Sequence, residues 1–177
     1  SKEKNIPLFI KLVESLNSGR AVNINALILG RGEEKAKIMQ AIELAGLQES
    51  IDLQGWVDRE KLPSIYDSIK CFAITSYHEG FATTLLEAHA RGIPAITTKS
   101  AGFCAEFIEG YGATTGISFD PKDVESEKFQ QQVLSLIDNA ESYYDDCVDK
   151  AKLFNEDEVL GEITKGIELL LDKSEVR

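Results

Sequence analysis

The segment TSYHEGFATTLLEAHARGIP, residues 75–94, joins the end of an apolar run to an amphipathic one. The run is Cys71-Phe72-Ala73-Ile74-Thr75, which predicts a strand over 71–75. A short polar loop follows, and a helix is expected from near Gly80. Gly92 and Pro94 should end it, because glycine accepts the left-handed cap and proline cannot continue the ladder. A strand that feeds a helix through a glycine leaves unpaired N–H groups, and the positive end of the helix dipole, above the sheet. Such junctions bind anions in α/β proteins. Two carboxylates, Glu79 at the helix mouth and Glu87 two turns in, bracket this one.

The alternation continues on both sides. Residues 24–29 form a nearly continuous apolar run stopped by Gly30-Arg31-Gly32. Such a run reads as a strand buried on both faces, and hence as part of a parallel sheet. Residues 33–45 read as a helix with Ile38, Ala41, Ile42 and Ala45 on one face and Gly46 as its cap. Residues 51–55 suit a short strand, and 59–68 a helix carrying Leu62, Ile65 and Tyr66. Beyond the central segment come strands at 95–98 and 116–119, with a brief helical turn near 104–108. At the front, residues 5–17 repeat apolar positions at Leu8, Leu12, Val13 and Leu16, with Ile10 a weaker member. Asn5 is the expected cap, Pro7 suits the first turn and Gly19 ends it. After Asp120-Pro121 the pattern turns helical, over 124–137, 142–154 and 156–171.

Strands separated by helices of this length mean βαβ units with right-handed crossovers. The expected fold class is therefore α/β: a Rossmann-like parallel sheet of about five strands, helices on both faces, and an all-helical C-terminal tail. The chain opens on a helix, whereas βαβ arrays usually open on a strand. A first strand is accordingly expected ahead of Ser1. No internal repeat or long linker divides the chain. Residues 1–154 are expected to form the Rossmann-like domain, with 155–177 a closing helix.

At 177 residues the chain suits one domain. Its net charge of −11, from 30 acids against 19 bases, disfavours a nucleic-acid backbone as partner. Cys71, Cys104 and Cys147 are widely spaced and unpaired in pattern, which fits a reducing cytosol. Two histidines, His78 and His89, make a His-rich zinc site improbable. No run reaches the ~20 apolar residues that a membrane span needs, and no signal peptide opens the sequence.

The expected ligand of the Gly80–Thr83 amides is a phosphate or diphosphate. Gly80 permits close approach and Thr83 adds a hydroxyl. Helical spacing puts Thr83, Glu87 and Arg91 on one face. A carboxylate there accepts hydrogen bonds from vicinal hydroxyls, and Glu79 at the mouth can take those of a second ring. Singly, Glu87 also reads as a solvated helix residue and Glu79 as a first-turn acid. Two carboxylates flanking a diphosphate together suggest a nucleotide-sugar.

Glu79-Gly80-Phe81-Ala82-Thr83-Thr84-Leu85-Leu86-Glu87-Ala88, followed by Arg91-Gly92-Ile93-Pro94, resembles the E-x7-E signature of retaining glycosyltransferases with the GT-B fold, the glycosyl transferases group 1 family. LILGRGEE, IDLQGWVDREKLPSIYDSIKCFAITS and FNEDEVLGEITKGIELLLD are similar to other segments of that family, so the likeness covers nearly the whole chain. The resemblance implies one half of a GT-B fold, the C-terminal donor-binding domain, with the acceptor domain and an Arg-bearing first strand lying before Ser1. It implies that Glu79 contacts the donor hexose and that the amides of Gly80, Phe81, Ala82 and Thr83 meet the diphosphate and hexose hydroxyls. Glu87 would hold the ribose. Lys4, in SKEKN, would contact the diphosphate, and Trp56 and Val57 would sit where the base is accepted. Arg31 falls instead in an expected tight turn. Ala101-Gly102-Phe103-Cys104-Ala105 departs from the Gly-Gly that relatives often carry before Glu106, and position 82 is Ala.

The implied activity is transfer of a hexose from a nucleoside-diphosphate sugar, with retention, to a glycan or lipid-linked acceptor of polysaccharide, lipopolysaccharide or glycolipid synthesis. Glu79 and Lys4 are the expected catalytic residues, and no essential metal or cofactor is expected. Expected partners are the donor, the missing N-terminal acceptor domain and the acceptor, with no nucleic acid. The expected location is cytoplasmic, at the inner face of the membrane if the missing domain associates with it. Two other readings share the fold: a non-catalytic nucleotide- or sugar-binding module and a sugar-nucleotide epimerase. Keeping both Glu79 and Glu87 favours the transferase.

Overall fold

The first helix, α1 (Ile6–Asn17), has apolar side chains on two faces and serves two cores. Leu8, Leu12 and Leu16, spaced by four, pack with Ile96, Phe119, Phe129 and Val133. Ile10 and Val13 turn instead toward Ile28, Ile42, Leu47 and Ile51. Ile10 is thus a full core residue at 4% exposure, not a weak member of a single stripe. Asn5 takes the N-cap position without a side-chain cap. Its backbone is left-handed (φ 47°), and its carbonyl accepts the N–H of Leu8 instead.

The computed structural model describes residues 2–19 and 23–154, so the closing helix expected within 155–177 lies outside the described residues. Five strands follow α1: β1 (Ala26–Ile28), β2 (Ile51–Leu53), β3 (Phe72–Ile74), β4 (Ala95–Thr98) and β5 (Gly116–Phe119). Between them run α2 (Lys35–Leu44), α3 (Leu62–Tyr66, entered by a 3-10 turn at Arg59–Lys61), α4 (Thr83–His89) and α5 (Phe103–Glu109). A 3-10 segment, Pro121–Glu125, leads into α6 (Glu127–Asp138), and α7 is Tyr144–Lys152.

Every strand pair is parallel, as the buried apolar runs imply. The five do not form one ladder, however. β1 pairs with β2, β4 lies between β3 and β5, and no ladder joins β1 to β3 among the described residues. Among the described residues the five expected strands thus form two parallel ladders. The strands keep only three or four ladder residues each, and the packing that spans the break comes from α1, not from backbone pairing.

Within the three-stranded sheet, alternate residues face opposite layers. Ile96 and Phe119 point to the α1–α6 side, while Ile74 and Ala95 face Leu85, Cys104, Phe107 and Ile108. Helices thus cover both faces. Gly116 allows β5 to come this close, since a Cβ there would lie 2.0 Å from the Ala95 carbonyl oxygen.

The helix after β3 starts later than expected. α4 begins at Thr83, with Ala82 in extended backbone as its N-cap, so Gly80 and Phe81 belong to the loop. Its end is as read: the N–H of Gly92 bonds the His89 carbonyl and that of Ile93 the Ala88 carbonyl, a Schellman closure with Gly92 left-handed (φ 74°). Gly46 closes α2 in the same way.

Candidate functional site

The C-terminal ends of the parallel strands carry the candidate residues, and the first cluster forms beside β3. Residues 3–5 run along its end. The N–H of Tyr77 donates to the Glu3 carbonyl (2.9 Å), and the Thr75 hydroxyl to the carbonyls of Lys4 (3.0 Å) and Asn5 (3.3 Å). The left-handed Asn5 turns the chain from this edge into α1, a backbone state asparagine tolerates better than most residues. Lys4 is thereby brought to Glu79, 75 residues on, and its ammonium donates to Oε1 of that carboxylate.

The Ser76 hydroxyl donates to the same oxygen (2.7 Å), leaving Oε2 without a partner among the described residues. Burial alone would raise the Glu79 carboxyl. The hydrogen bonds from Lys4 and Ser76 outweigh it and hold the group below the usual carboxylate range. Glu79 is therefore an anion near neutral pH, while Lys4 keeps 54% of its side chain exposed. Ser76 was not foreseen. Its signal was local, since Ser-x-x-Glu is the spacing at which a hydroxyl reaches a carboxylate one turn away.

The loop after Glu79 is held from below. Phe81 points away from the strand ends into an aromatic cluster, with ring centroids 5.1 Å from Phe103, 5.5 Å from Phe107 and 5.7 Å from Phe154. The N–H of Ala82 donates to Cys104 Sγ (3.5 Å). The carbonyl of Ser76 accepts from Thr98 (2.6 Å) and Ser100 (3.2 Å). Gly102, left-handed, would bring a Cβ to 3.4 Å of the Glu79 carbonyl oxygen. Ala101-Gly102-Phe103-Cys104-Ala105 thus forms the floor of the loop.

The Phe81 side chain is thus turned into the aromatic cluster, and the Ala82 amide is engaged by Cys104. The N–H groups of Gly80, Phe81 and Thr83 have no partner among the described residues and remain as anion donors. They come from a loop and a helix start, not from one helical first turn.

Trp56 and Val57 lie elsewhere along the strand ends, in the loop after β2. With Gln54, Gly55, Asp58 and Ser64 they line a pocket of about 490 Å³. Trp56 is 63% exposed, and the guanidinium of Arg31 sits 5.5 Å from its ring centroid. Arg31, expected in a turn after β1, therefore reaches the rim of this pocket as a cation on an aromatic face.

Glu87 lines a second pocket, about 610 Å³, between α3 and α4. Its Oε2 accepts a 2.8 Å hydrogen bond from the Tyr66 hydroxyl. Burial first, and then this carboxylate, push the Tyr66 phenol well above its ordinary range, so it stays a donor. Arg91, expected on the face of Thr83 and Glu87, lines the same pocket as Glu87 and is paired with Asp67. Helix α3 borders both pockets, Ser64 and Ile65 lining the first and Pro63 and Tyr66 the second. The structure thus joins Lys4 to Glu79 and Trp56 to Val57, and gives Glu87 a partner that sequence reasoning had placed only as a helix residue.

A profile of the Glycosyl transferases group 1 family matches residues 1–154. The chain is 26% identical over 122 residues to a 2-deoxystreptamine N-acetyl-D-glucosaminyltransferase of Niallia circulans, which covers 69% of this chain and 30% of that protein. It is 32% identical over 111 residues to the amylovoran biosynthesis glycosyltransferase AmsD of Erwinia amylovora, covering 58% of this chain and 31% of that one. It therefore spans under a third of the length of either relative. The crystal structure of the C-terminal domain of a glycosyl transferase group 1 family protein from Francisella tularensis superposes with a TM-score of 0.69 at 23% identity. That match covers 87% of this chain and 80% of the other. Other solved neighbours are GT-B glycosyltransferases and share the fold. Among the described residues, no helix is long and apolar enough to cross a membrane.

Proposed function

Because the chain belongs to the glycosyl transferases group 1 family, we propose that it is the donor-binding half of an enzyme that moves a hexose, with retention, from a nucleoside-diphosphate sugar to a glycan or lipid-linked acceptor. The observation that carries this reading is the Lys4–Glu79–Ser76 cluster. It sets a solvent-facing ammonium and an ionised carboxylate beside the open N–H groups of Gly80, Phe81 and Thr83.

In this reading Lys4 and the open amides face the diphosphate and stabilise it as it departs and gains charge. The unoccupied Oε2 of Glu79 accepts hexose hydroxyls and orients the ring without attacking it. Trp56 and Val57 receive the base in their pocket, and Glu87 takes the ribose diol. The chemistry is electrostatic and calls for no essential metal.

The acceptor side belongs to a separate N-terminal domain, and the break between β1 and β3 is in keeping with that arrangement. A strand ahead of α1, in the 3-2-1-4-5-6 order of doubly wound sheets, would enter between them beside residues 3–5. The similarity to a C-terminal domain taken alone supports the same division, and residues 155–177 would form the closing helix. Acceptors of the polysaccharide and lipopolysaccharide kind are favoured by the relatives. The enzyme would work on the cytoplasmic side, at the membrane if its other domain docks there.

Titration calorimetry of this chain with UDP, GDP and ADP tests the reading. One of the three should give saturable heat and a raised melting temperature, unchanged by a chelator, with no sugar transfer by the chain alone. Glu87→Ala should weaken that binding, whereas Glu79→Ala should matter chiefly for the intact sugar nucleotide. No heat and no thermal shift with any of the three would sink it.

A further inference from the structure

Glu87 and Arg91 stand four residues apart at the end of α4, the spacing at which a carboxylate and a guanidinium ordinarily pair with each other. Here they do not. Two adjacent residues of the α3 end divide them: Asp67 takes Arg91, and Tyr66 takes Glu87. The Tyr66 ring is 8% exposed and tilts against Phe72 at 6.3 Å. Its hydroxyl lies 3.5 Å from the Thr84 carbonyl and 2.8 Å from Glu87 Oε2, so its single proton goes to the carboxylate. A carboxylate has about four acceptor positions, and Tyr66 uses one.

We infer that Tyr66 is a positioning residue for Glu87, holding its carboxylate away from Arg91 so that Oε1 stays available to a pair of vicinal hydroxyls, those of a nucleotide ribose. The inference rests on the donor reading above and adds to it how the ribose acceptor is kept open. Tyr66 and Asp67 act together: the phenol fixes one oxygen of Glu87, and Asp67 occupies the cation that would otherwise neutralise the other. Burial and the neighbouring carboxylate keep the phenol protonated, so the arrangement does not depend on pH in the neutral range.

The test compares UDP, GDP and ADP with their 2′,3′-dideoxy counterparts by calorimetry on this chain. Losing hydrogen bonds to a charged acceptor should weaken the dideoxy form about tenfold or more. In Tyr66→Phe, which removes only the hydroxyl, that ratio should fall to within about threefold, and Glu87→Gln should lower it no further in the double variant. A phenol with a merely structural role would lower the melting temperature and leave the ratio intact, which would overturn the proposal while the donor reading stands. Should Tyr66→Phe fail to fold, Asp67→Asn serves in its place. Its side chain is 63% exposed, and freeing Arg91 should reduce the ratio in the same direction; an unchanged ratio there counts equally against the proposal. A ratio near one in the unaltered chain would overturn the ribose role of Glu87, and no binding of any nucleotide would overturn the donor reading itself and this inference with it.

Discussion

The two sheets of this molecule are built to different standards of burial. In β4 every residue is buried, with Ala95 and Thr97 at 0% exposure, and β3 and β5 flank it under helices on both faces. In the β1–β2 half, Ala26 and Leu27 are only half-buried, and Leu29 beyond the strand is 37% exposed. Helix α2 fully buries only Ile42 and leaves Met39 and Leu44 at 54% and 82%. The candidate residues divide along the same line. Glu79 and its donors stand on the tightly packed half, where a reacting bond would need fixed geometry. Trp56 and Arg31 stand on the looser half, where a planar ligand needs only a face to lie on.

The contrast is most sharply broken by Phe107→Ala. Phe107 is wholly buried against Phe81 and Phe154 below the Glu79 loop, and its loss should cost about 3–5 kcal/mol in denaturant unfolding. Leu44→Ala, on the looser half, should fall within about 0.5 kcal/mol. Equal costs would show that the halves are equally packed.

Next in size is a pH effect at His89, on the same tight half. Its ring is 0% exposed, and its Nε2 shares a 2.9 Å hydrogen bond with the Thr115 hydroxyl. Burial, aided by the Lys150 cation, lowers its pKa to about 4. The unfolded chain, with an ordinary pKa of ~6.5, takes up the proton first, so stability falls as pH drops from about 6.5 to about 4. The loss should approach about 3 kcal/mol. Urea melts across that window should show a shallower slope for His89→Gln, and parallel slopes would refute the assignment.

The smallest effect belongs to Glu79→Gln. Its partner Lys4 is more than half exposed, so solvent screening keeps the cost at pH 7 under about 1 kcal/mol. Because the folded carboxyl titrates below its usual range, that difference from the unaltered chain should be present at neutral pH and vanish as acid protonates it. A cost that persists at low pH would mean Glu79 acts through packing and not through charge.

Local pattern carried much of this. β4 and β5 fall where the apolar runs place them, and the glycine closures of α2 and α4 follow from Gly46 and Gly92 alone. The errors share one cause, which is long-range contact. Phe81 and Ala82 sit four and three before Leu85, so they read as part of its helix. Only the aromatic cluster around Phe81 and the sulfur of Cys104 show why the chain stays extended there. Lys4 and Glu79 were both nameable, but their meeting across 75 residues depends on how residues 3–5 lie along β3. Lys150 was invisible for the same reason. It is buried at 3% exposure and donates to the carbonyls of Phe107, Ile108 and Gly110, closing the end of α5 from another helix.

One helix keeps such unequal halves from behaving as two bodies. α1 is a shared wall: pulling Leu12 from its place opens the tight core, and the same displacement carries Ile10 and Val13 out of the loose one. Thermal opening of the weaker half therefore draws on the stronger, and the chain should melt in one step, its calorimetric and van't Hoff enthalpies alike.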